Sequence, residues 1–371
     1  MAANGKKKLR ATWLQVHKWI GLTLAILIIP IALTGSALVW HDWLDAKLEP
    51  QRIAQLGPAT LPPSAYANAA RSALQPGERL SELRFSKDDE PVIAIATRPS
   101  SGRPVRTTIW MDPRNASIID RATGNSGVIQ VMHSLHGSLM VPGWGRTIVG
   151  WVGAFMFVSC LTGIWLWWPL SGGFTSGFRW KRRNTINANL HYMTGFWVLF
   201  PLAMLSFTGA WISFPKVFGM FESRPPAATD RERAMRAKPL EQTATAVDAA
   251  VAAAKPYATG ALVSVAWPTD QKAEWKVGFD RKGGPAIAKV DDRSARASAP
   301  PPPQPETLAR TMRRWHDGTG MGPVWQIVIF VGGLIPALLS ITGIIIWWRA
   351  RAPRQKAKDY RRLAGASDAP A

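Results

Sequence analysis

Residues 17–40 read HKWIGLTLAILIIPIALTGSALVW. After Lys18 the run holds no charge, and at a rise of about 1.5 Å per residue a helix of this length crosses a hydrocarbon core of about 30 Å. It therefore reads as a membrane span. His17 opens it, a Thr34-Gly35 pair closes it, and Trp40 follows six residues after the threonine.

Working outward, the pattern returns three times. Thr147–Leu170, Tyr192–Pro215 and Val324–Trp348 are nearly free of charge and carry Thr162-Gly163, Thr208-Gly209 and Thr342-Gly343, with Trp168, Phe214 and Trp348 six residues after each threonine. Four such blocks among 371 residues exclude a soluble globule, a disordered chain and a collagenous rod. The near-zero mean hydropathy is an average over membrane spans and polar segments. Nineteen Trp against four Tyr fits interfacial belts, since Trp13, Trp19, Trp40, Trp43, Trp144, Trp151, Trp167, Trp168, Trp347 and Trp348 stand near block ends. The Thr-Gly pairs are expected to serve helix packing, because small residues let helices approach closely in lipid, with a cavity beside a cofactor as the alternative. The first block exceeds the apolar core of a cleaved signal peptide and is read as a retained span.

The net charge of +21 is distributed by topology. Lys6, Lys7, Lys8 and Arg10 precede the first span, and Arg179, Lys181, Arg182 and Arg183 join spans two and three, with no acid in either group. Arg349, Arg351, Arg354, Lys356, Lys358, Arg361 and Arg362 follow the fourth span against Asp359 and Asp368. Segment 42–145 is balanced, with 11 basic and 10 acidic residues, and segment 216–323 carries 17 and 12. Cytoplasmic loops collect Lys and Arg, so both termini and the short connection are expected inside and both long segments outside. Nucleic acid is not an expected partner, because the basic runs hug span ends and lack interleaved aromatic platforms.

The expected order is a cytoplasmic basic tail over 1–12, span one over 13–41 and an external module over 42–132. An outer His segment with span two covers 133–170, a cytoplasmic basic loop 171–190 and span three 191–215. A second external module covers 216–309, an outer His segment with span four 310–348, and a basic tail 349–371. Within the first module a helix over Tyr66–Leu74 precedes strands at Arg79–Phe85, Pro91–Ala96 and Val105–Trp110, then a turn at Asp112-Pro113 and Ile118-Ile119. Within the second, a helix over Thr243–Lys255 precedes Leu262–Trp267, Glu274–Phe279 and Ala286–Val290. One helix then three strands, twice, predicts two α+β modules. Ser298–Pro305 reads as a semi-rigid spacer.

Histidine spacing adds chemistry. His17 precedes Thr34 by 17 residues, as His191 precedes Thr208; His136 precedes Thr162 by 26, as His316 precedes Thr342. The chain thus reads as two copies of a two-span unit oriented alike. Seventeen helical residues span about 26 Å, so the histidines form two levels and cannot meet in one site. One boundary histidine would most simply cap a helix or meet headgroups; four in repeated register have no such reason. Two imidazoles at one depth on different spans can hold a haem iron from both faces, which makes a six-coordinate electron-transfer centre. Spans one and three could supply His17 and His191, and spans two and four His136 and His316. His133 shares a helical face with His136, and His41 lies at the same end, so either could be an outer ligand. A zinc site from His133, His136, His41 and His316 is the alternative, without cysteine or placed carboxylates behind it. Cys160 is the single cysteine, so no disulfide or CxxC site exists within the chain. No phosphate loop or dinucleotide fingerprint follows a strand, so no flavin or nucleotide site is expected.

These residues resemble the PepSY-associated transmembrane helix family of bacterial inner-membrane proteins. The match is carried by His17-Lys18-Trp19-Ile20-Gly21 with Thr34-Gly35, by Leu135-His136-Gly137-Ser138-Leu139, by His191 with Gly195, and by His316 with Gly318. Within that family the four-span architecture is similar to di-haem ferric-siderophore reductases. The resemblance implies an all-α four-helix transmembrane bundle with two periplasmic PepSY-like modules. It implies two b-type haems, an inner one on His17 and His191 and an outer one on His136 and His316. It implies a ferric siderophore as periplasmic partner, with electrons from quinol or a cytoplasmic reductase. A haem-free PepSY regulator or accessory of iron transport, and a di-haem reductase of another periplasmic acceptor, are the alternatives.

Overall fold

The computed structural model describes residues 2–86, 89–100, 104–124, 127–168, 174–179, 185–221, 237–282, 284–302 and 306–367. Lys181, Arg182 and Arg183 of the basic loop, and Pro303 and Pro305 of the expected spacer, lie outside the described residues. The chain divides into a helical unit (1–40, 131–223, 307–371) and a sheet unit (41–130, 224–306).

The helical unit is built on α1 (Ala2–Leu38), α5 (Gly145–Trp167), α6 (Ile186–Ser213) and α10 (Pro323–Ser367). Each contains a stretch long and apolar enough to cross a membrane: Lys8–Leu38, Gly145–Trp167, Ile186–Ser213 and Pro323–Arg351. The helices pack as a ring, α1 against α5, α5 against α6, α6 against α10 and α10 back against α1, so α1 faces α6 across the bundle. Ile26 and Phe200, each 77% exposed, are apolar side chains on the outside of that ring, as a lipid solvent requires. Arg10 donates to the Trp165, Leu166 and Trp168 carbonyls at the end of α5, and Arg146 donates to the Ile212 carbonyl at the end of α6. Terminal carbonyls that lack helical partners are satisfied in this way.

The outer His segments are separate short helices, not the first turns of the spans. Helix α4 (Val128–Ser138) ends where Leu139 and Met140 take φ of 51° and 57°; α9 (Leu308–Asp317) ends at Gly318, with φ of 78°. Left-handed residues stop a helix, and the chain turns before re-entering α5 and α10. His41 begins α2 (His41–Leu48) in the sheet unit, so span one ends before it, at Leu38.

The sheet unit corrects the expectation of two modules. The first segment supplies α3 (Pro63–Ser72) and strands β1 (Arg79–Arg84), β2 (Val92–Arg98), β3 (Val105–Met111) and β4 (Ile118–Thr123). The second supplies α8 (Val247–Ala254), β5 (Leu262–Ala266), β6 (Glu274–Phe279), β7 (Ala286–Asp291) and β8 (Ala297–Ser298). A four-residue helix, α7 (Pro215–Phe218), lies between α6 and this segment. All eight strands form one antiparallel sheet in the order β4-β3-β2-β1-β5-β6-β7-β8. The seam is β1 on β5, with Leu83 opposite Val265 and Arg84 opposite Ser264. Each half alone would leave β1 or β5 as an open edge, and joining them pairs both. Tyr66, Leu83, Met111, Val265, Trp275 and Val290 belong to one continuous core, so the halves share their hydrophobic interior too. Ser298 lies in strand β8 and not in a spacer.

Candidate functional site

The site is assembled from residues that the bundle brings together at two levels. At one level, α1 carries His17 and the facing α6 carries His191, and their ring centroids are 6.3 Å apart with planes crossing at 86°. At the other, α4 carries His136 and α9 carries His316, with centroids 6.0 Å apart and planes at 36°. Both pairs are those the sequence spacing matched by depth. His133, one turn before His136, is exposed and belongs to neither ring pair; His41, in the sheet unit, lies 3.0 Å from Asp42.

Each imidazole rests on a Thr-Gly pair of a helix other than its own. Nδ1 of His17 lies 3.2 Å from the Ser159 carbonyl and 3.0 Å from Thr162 Oγ1 on α5. Nδ1 of His191 lies 3.1 Å from Thr342 Oγ1 on α10, on the side of the Leu339 carbonyl. Nδ1 of His316 lies 3.0 Å from Thr208 Oγ1 on α6, on the side of the Leu205 carbonyl. Nδ1 of His136 lies 2.9 Å from the Ile31 carbonyl on α1, three residues before Thr34. The setting is the same four times, a ring nitrogen beside the carbonyl three residues before a threonine, with a hydrogen bond to that carbonyl at His17 and His136 and to the threonine hydroxyl at His17, His191 and His316. Three of those threonines, Thr162, Thr208 and Thr342, meet imidazoles, while the Thr34 hydroxyl bonds within its own helix. Their repeated register was the signal, but the contact joins different helices and the spacing within one chain segment could not reveal it.

A carbonyl only accepts, so His136, whose partner is the Ile31 carbonyl, carries its proton on Nδ1. The same assignment suits the other three rings: the threonine hydroxyls have helix carbonyls to donate to, Thr208 to Met204 at 2.8 Å, Thr342 to Leu338 at 2.9 Å and Thr162 to Ser159 at 3.0 Å, and His17 also meets Ser159 Oγ at 3.2 Å. With Nδ1 as the donor, Nε2 keeps its lone pair. Among the described residues, no hydrogen bond engages any of these four Nε2 atoms.

This donor set fits an iron porphyrin. Taking about 2.0 Å from metal to nitrogen and ~1.15 Å from nitrogen to ring centre, two imidazoles on opposite faces of one iron place their centroids about 6.3 Å apart. The observed 6.3 and 6.0 Å meet that requirement. A porphyrin brings four nitrogens and asks the protein for two, whereas a bare zinc ion asks for three or four. Among the described residues no three His, Cys, Asp or Glu side chains gather as a metal site, so the zinc alternative lacks ligands.

A family model described as PepSY-associated TM region matches residues 14–350. No curated protein matches the sequence.

Proposed function

We propose that this chain, which belongs to the PepSY-associated TM region family, moves electrons through the bacterial inner membrane on two bis-histidine b-type haems and reduces ferric siderophores outside. One observation carries the reading: two apposed imidazole pairs, at separate levels of one bundle, with Nδ1 committed to protein acceptors and Nε2 free. His17 and His191 would hold the inner group, His136 and His316 the outer one. When bound, such a group supplies a one-electron iron couple whose potential follows its axial ligands and burial.

The chain's own residues supply the scaffold and the direction. Along α6, the 17 residues from His191 to Thr208 set the two levels about 26 Å apart, a separation that suits one level near each leaflet. The cytoplasmic reading of both termini rests on the basic clusters at the span ends, and it puts the sheet unit in the periplasm. Quinol or a cytoplasmic reductase would feed the inner level. Siderophores hold Fe(III) through hard oxygen donors far better than Fe(II), so one electron delivered at the periplasmic face releases the metal. Duplication of a two-span unit accounts for the repeated His and Thr-Gly registers and for the helix and four strands found in each half of the sheet.

The test is an absorption spectrum of the purified chain in detergent, with haem quantified per polypeptide. A sharp Soret band, reducible α and β bands and two haems per chain are expected. A colourless preparation overturns the wire and leaves a haem-free PepSY regulator. Reoxidation of the dithionite-reduced protein by ferric siderophores, mixed rapidly against unrelated acceptors, tests the substrate; equal rates would transfer the role to another periplasmic acceptor.

A further inference from the structure

Why glycine should follow each of the four threonines is answered by what a side chain there would strike. In a helix Cβ leans toward the N-terminus, so the residue after the threonine overhangs the carbonyl three residues before it. That carbonyl is the one each imidazole lies beside. A Cβ built on Gly35 would lie 2.5 Å from Cε1 of His136, and on Gly209 3.1 Å from Cε1 of His316. On Gly163 it would lie 3.4 Å from Cε1 of His17, and on Gly343 3.6 Å from Cε1 of His191. All four glycines have their nearest neighbour on the same ring atom of a histidine from another helix.

We propose that the Thr-Gly pairs are positioning seats for the imidazoles, close-fitting at His136 and His316 and looser at His17 and His191. Glycine admits the ring to the helix carbonyl, protein oxygens hold Nδ1–H (the threonine hydroxyl at His17, His191 and His316, the Ile31 carbonyl at His136), and Nε2 would thereby be aimed at the metal. The consequence for haem rests on the reading above; the seat itself is a contact between protein groups. The seats differ in tolerance. One added methyl at Gly35 overlaps the ring and must displace it, while the same methyl at Gly343 meets ordinary contact distance. Loss of ring placement of this kind costs metal sites about 10–100-fold in affinity.

The experiment uses the full chain with single substitutions Gly35→Ala, Gly209→Ala, Gly163→Ala and Gly343→Ala. Haem per polypeptide and thermal unfolding are measured for each. Gly35→Ala is expected to lose the outer haem and keep the inner one, Gly209→Ala to weaken the outer haem, and Gly163→Ala and Gly343→Ala to retain both. The partner measurement is a double-mutant cycle with His136→Ala, run on protein freed of any haem. If the clash is with the imidazole, the unfolding penalty of Gly35→Ala vanishes once His136 is gone. Full outer-haem retention in Gly35→Ala, or an unfolding penalty unchanged in the His136→Ala background, overturns the seat. A wild-type chain without haem defeats the functional reading alone, since the cycle still reports the contact. Should Gly35→Ala fail to fold, rescue by His136→Ala supports the seat and failure of rescue rejects it.

Discussion

The two histidine pairs solve one geometric problem with different parts. His17 and His191 project from the spans themselves, so their separation is set by the packing of α1, α5, α6 and α10. His136 and His316 ride on α4 and α9, short helices that contact α1 and α6 and are joined to α5 and α10 by turns with left-handed residues at Leu139, Met140 and Gly318. The first pair crosses nearly at right angles and sits on loose seats; the second is closer to parallel and sits on close-fitting ones. A pair borne by the framework can tolerate slack around each ring. A pair borne by appended helices has less framework to aim it and takes its precision from contact at the seat.

The largest way to break this comparison is to remove a ligand. His17→Ala or His191→Ala is expected to abolish one haem and leave the other, and His136→Ala or His316→Ala to do the converse, as read by haem content. If every single variant keeps both haems, the pairing is wrong. Next in size is Gly318→Ala. Its φ of 78° suits glycine, and a Cβ there would also meet Ile329 at 3.0 Å, so the helix end should lose about 1 kcal/mol or more. The outer haem should then dissociate sooner than the inner one in a competition with apomyoglobin. Smaller again is Thr208→Val, which keeps the volume and removes one of two acceptors for His316. A drop in outer-haem affinity of up to about tenfold is expected, and Thr34→Val should not reproduce it, since His136 bonds the Ile31 carbonyl and not the Thr34 hydroxyl. Without loss of either site, the ferric spectrum should still tell them apart: planes at 86° give a strongly anisotropic low-spin resonance, planes at 36° a more rhombic one. A single signal type would mean that the rings reorient on binding.

The slightest effect lies outside both sites and serves as their control. Hydrogen bonding to Arg114 holds the Asp112 carboxyl below its ordinary value. Burial pushes Glu78 up, but its bonds from Gln75, Thr107 and Arg121 outweigh this and leave it lowered. Both folded values fall below the unfolded ones, so their contribution is complete above the ordinary carboxylate range and is lost as pH falls through the folded values. Strand circular dichroism should therefore weaken below about pH 4, and an acid transition with no loss of strand signal would contradict that linkage.

Much of this was legible before the structure. Spans declare themselves by uncharged runs, and the repeated His-to-Thr spacing grouped the same histidines that the structure sets ring to ring. Depth is not contact, however. His17 is in register with Thr34 along α1 but touches Thr162 on α5, a relation set by how helices sit side by side. The choice of His136 over His133 likewise depends on which face of α4 meets α1. In the sheet, local alternation marked six of the eight strands. Of Ile118–Thr123 it marked only Ile118-Ile119, too short a signal after a turn to count as a strand, and it missed Ala297–Ser298, whose neighbouring prolines resembled a linker. The β1–β5 pairing brings together residues about 180 positions apart in the chain, and no local pattern encodes such a partner.

That seam has an implication for biogenesis. A ribosome finishes the first four strands long before the fifth exists, so for that interval a naked row of amides and carbonyls beside Leu83 waits for a match it does not yet have. A truncated chain would keep that row open permanently, ready to zip onto any extended stranger, while two coexpressed halves should find each other through it and close the gap.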